Sequence, residues 1–216
     1  MKKILTIVIS VALVAAIAIG GTLAYLSTDA TVSNTFTTSH PGSKLAITLD
    51  EGVVFETTGL FTDAGATRIT SSTFPIIPGE KMDKDPTVTV AADSSPCYIF
   101  AFVKNTSDLN GKVVASFDTT TLGEGWAAVS GHPGLYAYSG IVATSTTARK
   151  LSPLFTKMIV NSALTLTDIA YANAEKLAAG SLNVQAYAYQ ASASVTYTMA
   201  ENAAIALFFP TPTPTP

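Results

Sequence analysis

Cysteine is all but missing from this chain, with Cys97 the single example in 216 residues. One thiol excludes any intramolecular disulfide, so packing and hydrogen bonding must hold the fold. Cys97 stands in the apolar run Cys97-Tyr-Ile-Phe-Ala-Phe-Val103, where a thiol behaves as a small buried hydrophobe rather than a reactive group. Histidine is nearly as scarce, with only His40 and His132. Zinc proteolysis needs three protein ligands around an open position and a general base, commonly His-Glu-x-x-His on a helix. Both histidines instead adjoin prolines in turns, with no Glu at helical spacing. A Gly-x-Ser-x-Gly nucleophile elbow is absent as well, and the many Ser and Thr suit strand structure. The chain is therefore expected not to be an enzyme, and no catalytic, cofactor-binding or metal-binding residue is assigned.

Charge is sparse, at 12% of residues, and acidic groups outnumber basic ones by fifteen to twelve. The basic residues, among them Lys44, Arg68, Lys84, Lys104 and Lys157, are scattered rather than gathered to meet a run of phosphates. That distribution excludes a nucleic-acid partner.

The one long hydrophobic run, Ile4 to Ile19, follows Lys2 and Lys3 and leads into Gly20-Gly-Thr-Leu-Ala-Tyr25. A positive start, an apolar core and small residues at the cleavage subsites make a signal peptide over residues 1–24, with Thr22 and Ala24 flanking the site and Tyr25 as the mature N-terminus. The alternative is a retained anchor, but the run is short of the roughly 20 residues that span a bilayer, and no basic stop-transfer cluster follows it. The expected destination is the extracellular matrix or cell surface, with membrane contact only before cleavage. About 190 residues then remain, enough for one domain with a substantial core.

Thr, Val, Ile, Tyr and Phe dominate the mature segment in short stretches bounded by Gly, Pro, Asn and Asp. Leu45, Ile47 and Leu49 alternate with polar or small residues, as do Val88 and Val90, so each stretch offers one apolar face. Residues 98–103 and 182–189 are apolar on both faces and are expected as central strands. Further strands are expected at 52–56, 68–74, 112–117, 126–129, 135–143, 155–160 and 195–199, with turns at Pro78-Gly79, Asn110-Gly111 and Pro133-Gly134. One helix is expected from Thr167 or Asp168 to Ala179, stopped by Gly180. The sum is an all-β fold, a jelly-roll-like β-sandwich with one short helix. It divides into a signal peptide (1–24), an N-terminal arm (25–43), the sandwich (44–209) and an extended Pro/Thr tail (210–216).

Several of these stretches together resemble the camelysin and TasA family of secreted fibre proteins. The opening Gly20-Gly-Thr-Leu-Ala-Tyr25, then Asn34-Thr-Phe-Thr37 and Leu49-Asp-Glu51, is similar to the family's N-terminal block. Pro78-Gly-Glu80, Lys84-Asp-Pro-Thr-Val88 and Cys97 to Lys104 are similar to its central block. Leu154-Phe-Thr-Lys157 and Val184-Gln-Ala-Tyr-Ala-Tyr-Gln190 are similar to its C-terminal block, so the likeness covers nearly the full chain. The signal junction resembles those handled by the SipW type of signal peptidase. The resemblance implies a jelly-roll subunit that polymerises outside the cell into biofilm-matrix or surface fibres. Its partners would be copies of itself, each donating its mature N-terminal strand to the next.

The residues allow that mechanism. Val32, Asn34 and Phe36 share one face of an extended segment, and Ser39-His-Pro-Gly-Ser43 joins it to the domain as a flexible turn. Such a segment can complete a sheet edge, with main-chain hydrogen bonds for affinity and side-chain pockets for register. It can equally pair within its own domain. Camelysin also carries a metallopeptidase label, which the histidine content argues against. A monomeric adhesive or glycan-binding module is the competing function, with Trp126 between Gly123, Gly125 and the Tyr136 and Tyr138 stretch as a stacking platform. Core packing is the plainer reading of Trp126. Asp83 and Asp85, with Glu80 and Asp93, could offer carboxylates to calcium, but lack the glycine and terminal glutamate of a known loop and suit a solvated turn. Asn105-Thr-Ser107 is a glycosylation sequon on an expected loop.

Overall fold

A computed structural model of the chain describes residues 33–34, 44–106, 112–165, 168 and 181–210. These residues form an all-β sandwich of jelly-roll-like character with one α-helix. Its twelve strands are β1 (Ser33–Asn34), β2 (Ile47–Gly52), β3 (Arg68–Ile69), β4 (Lys81–Asp83), β5 (Thr87–Val90), β6 (Cys97–Thr106), β7 (Ala115–Phe117), β8 (Trp126–Ala128), β9 (Leu135–Tyr138), β10 (Arg149–Lys150), β11 (Lys157–Val160) and β12 (Ser181–Gln190). The helix is α1 (Tyr197–Phe208). One sheet runs β1-β12-β6-β9-β8, a second β10-β5-β2-β3 and a third β4-β11-β7.

The central pair is β6 with β12, antiparallel over ten residues from Cys97↔Gln190 to Thr106↔Ser181. Successive side chains alternate between the two faces, and each face packs into its own cluster, which explains why Cys97–Val103 and Ala186–Tyr189 are apolar on both. Cys97, Ile99, Ala101 and Val103, with Leu182, Val184, Ala186 and Ala188, face the core between the sheets. That core is completed by Ile47, Leu49, Val88, Met82, Met158 and Val160 from the other two sheets. Tyr98, Phe100 and Tyr187 face the opposite way into a second cluster, with Ala200 and Ala204 of α1. The two alanines, one turn apart and fully buried, let the helix approach the aromatic face closely.

Two turns read from sequence are present with their backbone signature. Glu80 N–H donates to Ile77 C=O at 3.0 Å across Pro78-Gly79, and Leu135 N–H to His132 C=O at 3.0 Å across Pro133-Gly134. Gly79 and Gly134 have φ of +83° and +87°, the conformation a type II turn demands of its third residue. Asn110-Gly111 lies outside the described residues.

Some expectations need correction, and one lies outside the described residues. Residues 195–199 are not a strand: Thr196 is the N-cap of α1, its hydroxyl accepting from Met199 N–H. The alternation of Val195, Tyr197 and Met199 is overridden by helix-favouring alanines at 200, 203, 204 and 206 and by the aromatic sheet face that requires cover. The helix expected from 167 to 179 falls outside the described residues apart from Asp168. Beside it, Thr165 N–H donates to the Asp168 carboxylate at 2.8 Å, and Asp168 N–H to the Thr165 hydroxyl at 3.3 Å. Finally, Asn105 lies in strand β6 opposite Leu182 rather than in a loop.

Candidate functional site

The N-terminal strand defines one edge of the five-stranded sheet. Ser33 pairs with Gln185 and Asn34 with Ala186, in parallel register. Every other pairing between the described strands is antiparallel. Strand β1 thus comes from more than a hundred residues upstream to lie beside β12, which β6 already pairs along its full length on the other side. Of the residues assigned to the polymerising strand, Asn34 is in β1, while Val32 and Phe36 lie outside the described residues. So do Thr22, Ala24 and Tyr25 of the cleavage junction.

A second constellation lies where β2, β3 and the β4–β5 connection meet. Ile47, Leu49 and Glu51 share the inward phase of β2, and Met82 and Lys84 share that of the neighbouring segment. Glu51 and Lys84 consequently meet in the interior, where Lys84 Nζ donates to Glu51 Oε2. The ammonium also lies 5.2 Å from the centre of the Phe74 ring, a cation–π placement. Outside this pair, Arg68 clamps β2 to the β4–β5 connection: Nε donates to Asp50 Oδ1 at 2.7 Å, Nη1 to Asp85 Oδ2, and Nη2 to the Asp50 and Asp85 carbonyls at 2.9 and 3.0 Å. Asp85 Oδ1 accepts from Gly52 N–H at 2.7 Å. Asp83 accepts from Lys157 Nζ and, at 2.9 Å, from Phe61 N–H.

This arrangement corrects the solvated-turn reading of Asp83 and Asp85. Both are only 14% exposed and each is engaged by a basic side chain, so neither offers free charge to calcium. Glu80 is exposed, and Asp93 sits in a left-handed turn at φ +58° with its N–H bonded to Ser145 C=O at 2.8 Å. Among the described residues no group of three or more His, Cys, Asp and Glu side chains is placed to hold a metal ion. Sequence reading treated Arg68, Lys84 and Lys157 as scattered cations. The signal that could have joined them was two opposite charges, Glu51 and Lys84, each at a position that strand alternation assigns to the core.

Trp126 is a core residue. It is 6% exposed, its Nε1–H donates to Ser152 C=O at 2.9 Å, and its ring meets Tyr138 edge to face at 5.3 Å. Its burial removes the open ring face that sugar stacking requires. His132 is half-buried, its Nδ1 3.1 Å from Ser130 O and its ring edge-on to Phe209; His40 is outside the described residues. Cys97 is fully buried, and that burial pushes its thiol from 9.0 up to about 11, so it stays protonated at neutral pH. Comparison with protein-family models, with curated proteins and with solved structures finds no match for the chain.

Proposed function

We propose that this chain is a secreted structural subunit that assembles into extracellular fibres or biofilm matrix by head-to-tail donor-strand complementation. The observation that carries the reading is β1: a short, sequence-remote strand added in parallel to β12, at the edge of an otherwise antiparallel sheet. An edge strand is a template for pairing, and an arm that covers it in one subunit can cover it equally in the next. Exchange replaces each backbone hydrogen bond by an identical one, and a repeated contact that does not close on itself yields a filament. The resemblance to the camelysin and TasA family and the signal junction before Tyr25 support the same reading. In it the protein is non-enzymatic, its partners are copies of itself and a signal peptidase of the SipW type, and it works outside the cell.

Electron microscopy and light scattering of the mature protein test the proposal. Filaments are expected from residues 25–216, and a folded but non-polymerising subunit after deletion of residues 25–38. Phe36→Asp should act likewise, because docking the arm would desolvate an unpaired charge. Unchanged filaments from the deletion would sink the proposal, and an unfolded deletion product would favour pairing of the arm within its own domain.

A further inference from the structure

Glu51 and Lys84 make the most deeply buried ion pair among the described residues, with side chains 3% and 1% exposed. The ammonium has three protons to place and the carboxylate roughly four lone-pair positions. Yet the polar contact between them is a single hydrogen bond, and among the described residues Glu51 Oε1 has no hydrogen-bond partner. Two desolvated charges so poorly served are weakly repaid by their mutual attraction. The backbone on either side is nevertheless fixed. Gly52 is bonded to Asp85, and Arg68 grips Asp50 and Asp85, so the residues flanking Glu51 are tied to the residue following Lys84. An amine and a carboxyl are thereby held in contact in a buried site.

We propose that Lys84 and Glu51 condense into an intramolecular isopeptide bond, a covalent staple between β2 and the β4–β5 connection in a chain that has no disulfide. A proton passes from Nζ to a carboxylate oxygen of Glu51 within their hydrogen bond. The neutral amine then attacks Cδ; a C–N bond forms, one C–O bond breaks, and that oxygen leaves as water with the transferred proton and a second proton from the attacking nitrogen. No oxidant or co-reactant is needed. Condensation is unfavourable between free groups in water, but fixed partners reach effective molarities of about 10⁵–10⁸ M. The product also abolishes both buried charges. The staple is independent of the fibre reading.

The mass of the denatured mature protein tests it directly. The expected result is one water less than the sequence mass, with the tryptic peptide 45–68 joined to 82–104 and no cleavage after Lys84. Lys84→Met should restore the full mass expected for its sequence; should that variant fail to fold, the wild-type peptide map decides alone. Full sequence mass after prolonged incubation of the folded protein, with free peptide 45–68 and cleavage at Lys84, would overturn the proposal. So would a water loss that maps elsewhere.

Discussion

Ser33 lies opposite Gln185 in parallel register, so β1 and the edge it covers are held in one register. Replacing both by cysteine makes that pairing readable. Oxidised filaments of Ser33→Cys/Gln185→Cys should yield a ladder of covalent oligomers on denaturing gels if arms are donated between subunits. A purely monomeric product would place the arm in its own domain. Cys97 will not interfere, because it is buried.

Phe100 is fully buried beneath α1, and Phe100→Ala is expected to cost about 3–5 kcal/mol in denaturant unfolding. Phe102 is only partly buried, stacked on Phe208 at 5.0 Å and edge-on to Phe209 at 5.2 Å. Its truncation should cost less, with each lost aromatic pair worth about 0.5–1.5 kcal/mol beyond area burial.

Close approach of α1 depends on Ala200 and Ala204, both fully buried. Ala204→Leu should overpack the site at a cost of about 1–3 kcal/mol. A neutral or stabilising result in thermal melts would mean that the helix can shift outward without loss.

Arg68 bonds through all three of its nitrogens to Asp50 and Asp85, a fork that lysine cannot reproduce. Arg68→Ala is expected to cost roughly 2–3 kcal/mol, less than the about 3–5 kcal/mol of a fully buried pair because the guanidinium is partly exposed. Arg68→Lys should recover under half of that loss in the same assay.

Acid should destabilise the fold through its paired carboxylates. The Lys81 ammonium, then the Thr120 hydroxyl and N–H, lower Asp118 from 3.8 to about 2. Lys112 and Thr165 likewise lower Asp168. A carboxyl depressed on folding contributes stability that is present above its ordinary value and lost as pH falls through its folded one. The window here opens near 3.8 and, for Asp118, closes near 2. Asp118→Asn should flatten the fall in melting temperature across that range. At the alkaline end, Cys97 has the opposite sign: its raised thiol contributes stability below about 9 that is lost as pH rises through about 11.

Most of the sheet framework was legible locally, because a strand with one buried face writes its period into the sequence. Ile47, Leu49, Val88 and Val90 alternate as they pack, and the doubly apolar runs at 98–103 and 182–189 became the central strands β6 and β12. The two glycine turns were legible for the same reason, since φ above zero is a property of one residue. Strands β4 and β10 were not, being three and two residues long and too short for a period to show. Residues 195–199 misled because their alternation suits a strand, while the residues that decide between strand and helix lie beyond them.

The sequence by itself determined the all-β character, the central strands and the buried thiol, each set by composition or by neighbours a few positions away. Only the tertiary structure decided which face α1 covers, that Asp83, Asp85 and Trp126 are engaged internally, and that β1 reaches the edge of β12. It alone brought Glu51 to Lys84 across 33 residues. Pairings at such separations depend on chain crossovers and sheet packing, which no local periodicity records.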